Sequence, residues 1–186
     1  MIIVNYPDSF IAAGYEFADM ENFVSAPFFR KKFTVGRIKT AEVIIGAAGF
    51  YKLFLNGKDI TKGELAPYIN NTDDLVYYDR YDVTDQLTEG ENVVAVLLGN
   101  GFQNNPGGAV WDFDKAAFRS APKFAMSLIL VDTDGNETVI EGDESVKVCD
   151  SPILFDDYRC GEYYDARLEI PDFHSVNFTT FKFHKC

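Results

Sequence analysis

Phe50-Tyr51-Lys52-Leu53-Phe54-Leu55-Asn56-Gly57-Lys58-Asp59-Ile60 is the stretch that decides the fold. Tyr51, Leu53 and Leu55 alternate with Lys52 and Phe54, the two-residue period of a half-buried strand. Asn-Gly follows at once. A type I′ turn needs positive φ at both central residues, so Asn56-Gly57 between such runs predicts a β-hairpin, with a short return over Lys58 to Ile60. Ala41 to Ala47, just upstream, is a second apolar run of strand length.

Outward from this hairpin the chain repeats the same grammar. Ala26 to Val35 predicts a first strand, with Arg30, Lys31 and Lys32 keeping one face or an edge wet. Val76 to Val83 predicts another, followed by a helical turn over Thr84 to Leu87. Glu89 to Asn92 is a tight turn into Val93 to Leu98, a near-continuous apolar run that predicts a fully buried strand. Pro122 to Val131 alternates, Asp134-Gly135 turns the chain, and Thr138 to Glu141, Val146 to Cys149 and Tyr163 to Leu168 complete the set. Roughly nine to eleven short strands, turn signals about every ten residues and no helix of three turns predict an all-β protein, a β-sandwich or jelly roll. No internal repeat and no Pro/Ser/Gly-rich linker divides it. Residues 1–25 read as a lead-in, 26–170 as the sandwich domain and 171–186 as a tail or the start of a following domain.

Composition agrees. The 186 residues are 47% hydrophobic and 15% aromatic, with 17 Phe and 10 Tyr, which supports a packed, β-rich core. A net charge of −12 argues against a nucleic-acid groove and against an anionic membrane surface, and leaves neutral ligands such as sugars, or cations. The three cysteines, Cys149, Cys160 and Cys186, form no disulfide framework or Cys-x-x-Cys pair. The first residues lack the charged and apolar regions of a signal peptide, and nothing approaches a membrane-spanning run. The compartment stays unassigned.

Catalytic signatures are sparse. There is no Gly-x-Ser-x-Gly elbow, and both histidines, His174 and His184, lie in the tail. Gly99-Asn100-Gly101 lacks the third glycine of a dinucleotide fingerprint. Asp132 to Asn136 fails as an EF-hand, because Glu137 stands at the glycine position, and it reads as an Asp-Gly hairpin. Asp156-Asp157 read as surface charges before a turn. The Asn-x-Ser/Thr triplets at Asn70, Asn136 and Asn177 read as chance without a secretory signal.

Two long irregular stretches stand out, residues 63–74 and 99–118. A sugar offers an apolar face to an aromatic plane and hydroxyls to Asn and Asp. Phe102, Trp111 and Phe113 with Asn100, Asn104, Asn105 and Asp112 suit that chemistry. The same aromatics also suit a loop anchor or a contact with a neighbouring domain, which is the plainer reading of them. Hard oxygen ligands for Ca²⁺ are available from Asn70, Asn71, Asp73 and Asp74 on one loop and Asn100, Asn104 or Asp112 on the other, though such residues also cap strands as plain turn formers.

Several segments, in order, resemble the N-terminal accessory region of bacterial α-L-rhamnosidases, of glycoside hydrolase family 78 type. They are Phe29-Arg30-Lys31-Lys32-Phe33, Ala48 to Gly57, Tyr78-Asp79-Arg80-Tyr81-Asp82-Val83-Thr84, Leu98-Gly99-Asn100-Gly101-Phe102, Ala121-Pro122-Lys123-Phe124 and Gly161-Glu162-Tyr163-Tyr164-Asp165-Ala166-Arg167. The resemblance implies a galactose-binding-domain-like sandwich beside a catalytic (α/α) toroid that carries the acid and base carboxylates. It therefore implies a chain that is not an enzyme by itself. It also implies a site for L-rhamnose or a related sugar, with Asp73, Asp74, Asn100, Phe102, Asn104, Asn105, Trp111 and Asp112 as candidates and Asp73, Asp74 and Asn100 as Ca²⁺ ligands. Where relatives carry a Pro-Gly-Trp-Thr-like approach to the first loop, this chain has Tyr68-Ile69-Asn70-Asn71-Thr72.

Overall fold

A computed structural model describes residues 6–7, 9–106, 112–178 and 184–185. In chain order the strands are β1 (Ile11–Ala12), β2 (Pro27–Val35), β3 (Ile38–Ala48), β4 (Phe50–Leu55), β5 (Lys58–Asp59), β6 (Tyr78–Asp82), β7 (Gly90–Gly99), β8 (Lys123–Asp132), β9 (Glu137–Glu141), β10 (Lys147–Asp150), β11 (Ile153–Asp157), β12 (Gly161–Tyr164) and β13 (His184–Lys185). Helical structure among the described residues is confined to single 3-10 turns at Thr84–Gln86, Phe113–Lys115 and Ala166–Leu168.

Two antiparallel sheets face each other. One runs β1-β8-β3-β6, with β9 also paired to β8, and the other runs β13-β10-β2-β7-β4-β5. The protein is a β-sandwich. Asn56 and Gly57 take φ of 50° and 90°, the left-handed pair a type I′ hairpin requires, and Leu55 pairs with Lys58 across it. Gly49 (φ 115°) joins β3 to β4, and a Cβ there would lie 2.5 Å from the Gly99 carbonyl oxygen. That approach admits only glycine.

The core lies between the sheets. Val43 and Ile45 of β3 and Leu128 of β8 meet Leu53 of β4 and Val94, Val96 and Leu98 of β7. Each fully buried aliphatic side chain contributes ~1.5–3 kcal/mol. β7 is buried on both faces because the outer face of its sheet is covered as well. There Phe28, Ala95 and Cys149 pack with Phe173, and Phe54, Leu97, Ile170 and Phe178 lie beside them. Phe173 stacks on Phe28 with ring centroids 3.9 Å apart. The Arg30 guanidinium holds this covering segment by donating from Nε to Phe173 O (2.9 Å) and from Nη2 to Ser175 O (2.8 Å). Residues 170–178 thus lie flat on the sandwich, and His184–Lys185 pairs with Lys147 and Val148 of β10. At the other end of the chain, Ile11–Ala12 pairs with Lys123 and Phe124 of β8.

β11 and β12 form a separate two-stranded hairpin beside the sandwich. Tyr163–Leu168, expected as one strand, divides into the end of β12 and a 3-10 turn at Ala166–Leu168. The Asp165 side chain accepts a bond from Arg167 N and so favours the turn over continued pairing.

Candidate functional site

The two long loops meet. Residues 61–77 leave β5, form a bridge between Tyr51 and Ala66, and return at β6. Thr72 Oγ1 donates to Gln103 Oε1 at 2.8 Å and ties this loop to the one that follows β7. Asp73 and Asp74 are exposed on it. The Asp74 carboxylate accepts from Asn71 Nδ2 at 2.8 Å, and Asn71 Oδ1 accepts from Asp73 N at 3.1 Å.

The three candidate asparagines face inward. Asn100, Asn104 and Asn105 are at most 1% exposed. Asn100 donates from its backbone N to Asp156 Oδ2 (2.7 Å) and from Nδ2 to Asp156 Oδ1 (2.6 Å) and Val24 O (2.8 Å). Its Oδ1 accepts from Asn104 Nδ2 (2.8 Å), and Asn104 Oδ1 accepts from Ala18 N (2.9 Å). Asn105 donates to Asp157 Oδ2 (2.7 Å) and accepts from Arg159 Nη2 (3.0 Å). An amide side chain supplies a donor and an acceptor together. These three join the lead-in around residues 16–24, the loop after β7 and the β11–β12 hairpin into one buried polar network.

Asp156 and Asp157 are the other half of that network, and their expected surface position is overturned. Asp157 is 4% exposed. Its Oδ1 accepts from the backbone N–H groups of Arg159 (2.7 Å) and Cys160 (2.9 Å). Desolvation works to raise the Asp157 carboxyl, but these backbone bonds and Arg159 outweigh it and hold it below the usual range. At Asp156 burial dominates and raises the carboxyl despite the bonds from Asn100. The spacing missed here is short: Ile153, Phe155 and Asp157 alternate inward along β11, and Gly161 (φ 88°) makes the turn into β12.

Phe102 is half-buried, 4.0 Å from the Tyr158 ring and edge-on to Phe113 at 5.2 Å. Asp112 is exposed, in the left-handed region at φ 48°, with Lys115 Nζ 3.2 Å from its carboxylate. Trp111 lies outside the described residues. Of the candidate sugar-binding groups that are described, Asp73, Asp74 and Asp112 reach solvent, whereas the asparagines are engaged internally. Among the described residues no group of three His, Cys, Asp or Glu side chains stands where it could hold a metal ion. Both amide atoms of Asn100 already have partners, so a cation at Asp73 and Asp74 would have to compete with this network to recruit Asn100.

A cleft of 430 Å³ opens between the 61–77 loop and the β11–β12 hairpin, floored by Phe50 and Leu97. Leu65 (66% exposed), Tyr68 (84%) and Tyr163 (60%) stand around it or on the elements that form it. Exposed apolar side chains occur on both elements, as they do along residues 6–23, and a contiguous patch of such side chains marks a contact surface.

Residues 36–186 match the family model described as the alpha-L-rhamnosidase N-terminal domain. The chain belongs to that family. An alpha-L-rhamnosidase of Formosa agariphila is 35% identical over 162 residues, covering 83% of this chain and 16% of the relative. The rhamnosidase N-terminal fold is equally clear in solved structures. An Aspergillus terreus alpha-L-rhamnosidase superposes with a TM-score of 0.82 at 26% identity, over 95% of this chain and 20% of that one. A Streptomyces avermitilis alpha-L-rhamnosidase complexed with L-rhamnose gives 0.78 at 26% identity, over 87% and 16%. This rhamnosidase N-terminal domain spans about a sixth of the length of its first curated relative.

Proposed function

We propose that this chain is a non-catalytic accessory domain of an α-L-rhamnosidase, a glycoside hydrolase, and that it supports a catalytic domain of the same enzyme by docking against it. The observation that carries this reading is the set of exposed apolar side chains, Leu65, Tyr68 and Tyr163 foremost, on the 61–77 loop and the β11–β12 hairpin. Both elements are tied down, by the Thr72–Gln103 bond and by the asparagine–aspartate network. A docking surface that is already ordered loses little conformational entropy on association. Sedimentation velocity of the isolated chain tests it. Weak self-association is expected, and Leu65→Ser, Tyr68→Ser and Tyr163→Ser together should abolish it. A strictly monomeric chain that binds no hydrophobic dye refutes the reading.

A second reading, binding of L-rhamnose or a related sugar, is favoured by the meeting of the two loops at Thr72 and Gln103, with Asp73 and Asp74 exposed there. The Streptomyces avermitilis alpha-L-rhamnosidase structure is a complex with L-rhamnose. Titration calorimetry with L-rhamnose, in calcium and then in chelator, separates the two. Saturable heat lost in Asp73→Ala and Asp74→Ala supports a sugar site on the loop, and absence of heat leaves docking alone.

A further inference from the structure

The outer face of the sheet that holds β2, β7 and β4 carries an apolar patch of Phe28, Ala95, Leu97 and Phe54, bordered by Arg30 and Lys52, and the chain covers only part of it. Phe173 covers Phe28 and approaches Phe54 edge-on at 5.4 Å. Leu97 packs in that same cluster and also lines the open cleft, so the cleft continues an interface the chain itself half fills.

Its charge is one-sided. The ionisable side chains lining it are the carboxylates Glu64, Asp156, Asp157 and Glu162, with Lys52 and Tyr158 and the core-facing Tyr51. Lys52 lies 3.3 Å from Glu64 and 3.6 Å from Asp59, and Asp157 is paired with Arg159. Asp156 and Glu162 oppose each other in the β11–β12 register, a like-charge pair on one hairpin. Burial raises the Asp156 carboxyl, and the Glu162 charge adds to the effect. A cation placed between them would relieve that repulsion, while its aliphatic stem would cover Leu97 and Phe50.

We propose that the cleft receives an arginine- or lysine-bearing apolar segment of the partner domain, with the cationic group between Asp156 and Glu162. The proposal rests on the docking reading above and names the chemistry of the docked partner. The 61–77 loop would close one side of the segment through Leu65 and Glu64, and Tyr158 the other.

Nα-benzoyl-arginine amide titrated into the ¹⁵N-labelled chain tests it, with the neutral isostere Nα-benzoyl-citrulline amide as comparison. The expected result is saturable shifts at Leu97, Gly161 and Glu162. The arginine compound should bind roughly fivefold more tightly, about what one partly exposed ion pair supplies. Glu162→Gln, an exposed position on β12, should remove that advantage and leave the citrulline compound unchanged. Equal binding of the two compounds overturns the choice of a cationic partner while leaving the cleft as a docking point. Binding of neither overturns the cleft altogether, and the docking reading then stands or falls on its own sedimentation test.

Discussion

Replacing Phe173 with alanine should destabilise the whole sandwich, although the residue lies outside every strand. The Phe173 ring is 6% exposed, stacked on Phe28 at 3.9 Å and edge-on to Phe54 at 5.4 Å. Truncating a buried phenylalanine costs ~3–5 kcal/mol, the spread reflecting how far the site can collapse. Here the lower end applies, because the covering segment lies at the molecular edge and can settle toward the sheet. Its backbone bond from Arg30 Nε survives the substitution. A loss of ~3 kcal/mol corresponds to a fall in Tm of roughly 6–12 °C for a chain of this size. Urea unfolding followed by circular dichroism reads the same loss as a lower midpoint at unchanged slope. Phe173→Leu should recover about half. A loss below ~0.5 kcal/mol, the range of ordinary surface substitutions, would mean that residues 170–178 are not part of the folded unit.

Two further outcomes follow from the buried polar groups. Asp157→Ala removes the acceptor of two backbone N–H groups and of Asn105 Nδ2, and should cost ~3 kcal/mol in the same unfolding experiment. Burial, then hydrogen bonds to Asp79 and Tyr81, hold the Tyr51 phenol far above its ordinary value of 10.0. The folded state keeps that proton and the unfolded chain releases it, so stability is complete below pH 10 and falls as pH rises beyond it. Tyr51→Phe should flatten the alkaline limb of the stability–pH curve, and an unchanged limb would contradict the assignment.

The hairpin at Asn56-Gly57, the alternating strands and the two long loops were legible in the sequence because each rests on local rules of period or turn chemistry. The engagement of Asp156 and Asp157 in hydrogen bonds with the loop after β7 was not. Their partners Asn100 and Asn105 lie more than fifty residues away, and β11 is too short for its alternation to stand out. In sequence the asparagines read as ligands or as turn formers, and their internal network was not foreseen. Polar residues in a glycine-rich loop suit a ligand or an internal network equally, and only the fold distinguishes them. Phe173 and Phe178 were likewise unreadable as core, since the sheet face they cover is assembled from β2, β4, β7 and β10.

The most direct test of the central claim is hydrolysis of an aryl α-L-rhamnoside by the purified chain. Asp156 and Glu162 are the carboxyl groups that oppose each other at the open cleft, so Asp156→Asn and Glu162→Gln serve as the decisive variants. A non-catalytic accessory domain predicts no release of the aryl group above the buffer rate in any of the three proteins. Turnover by the wild-type chain that either substitution abolishes would contradict it.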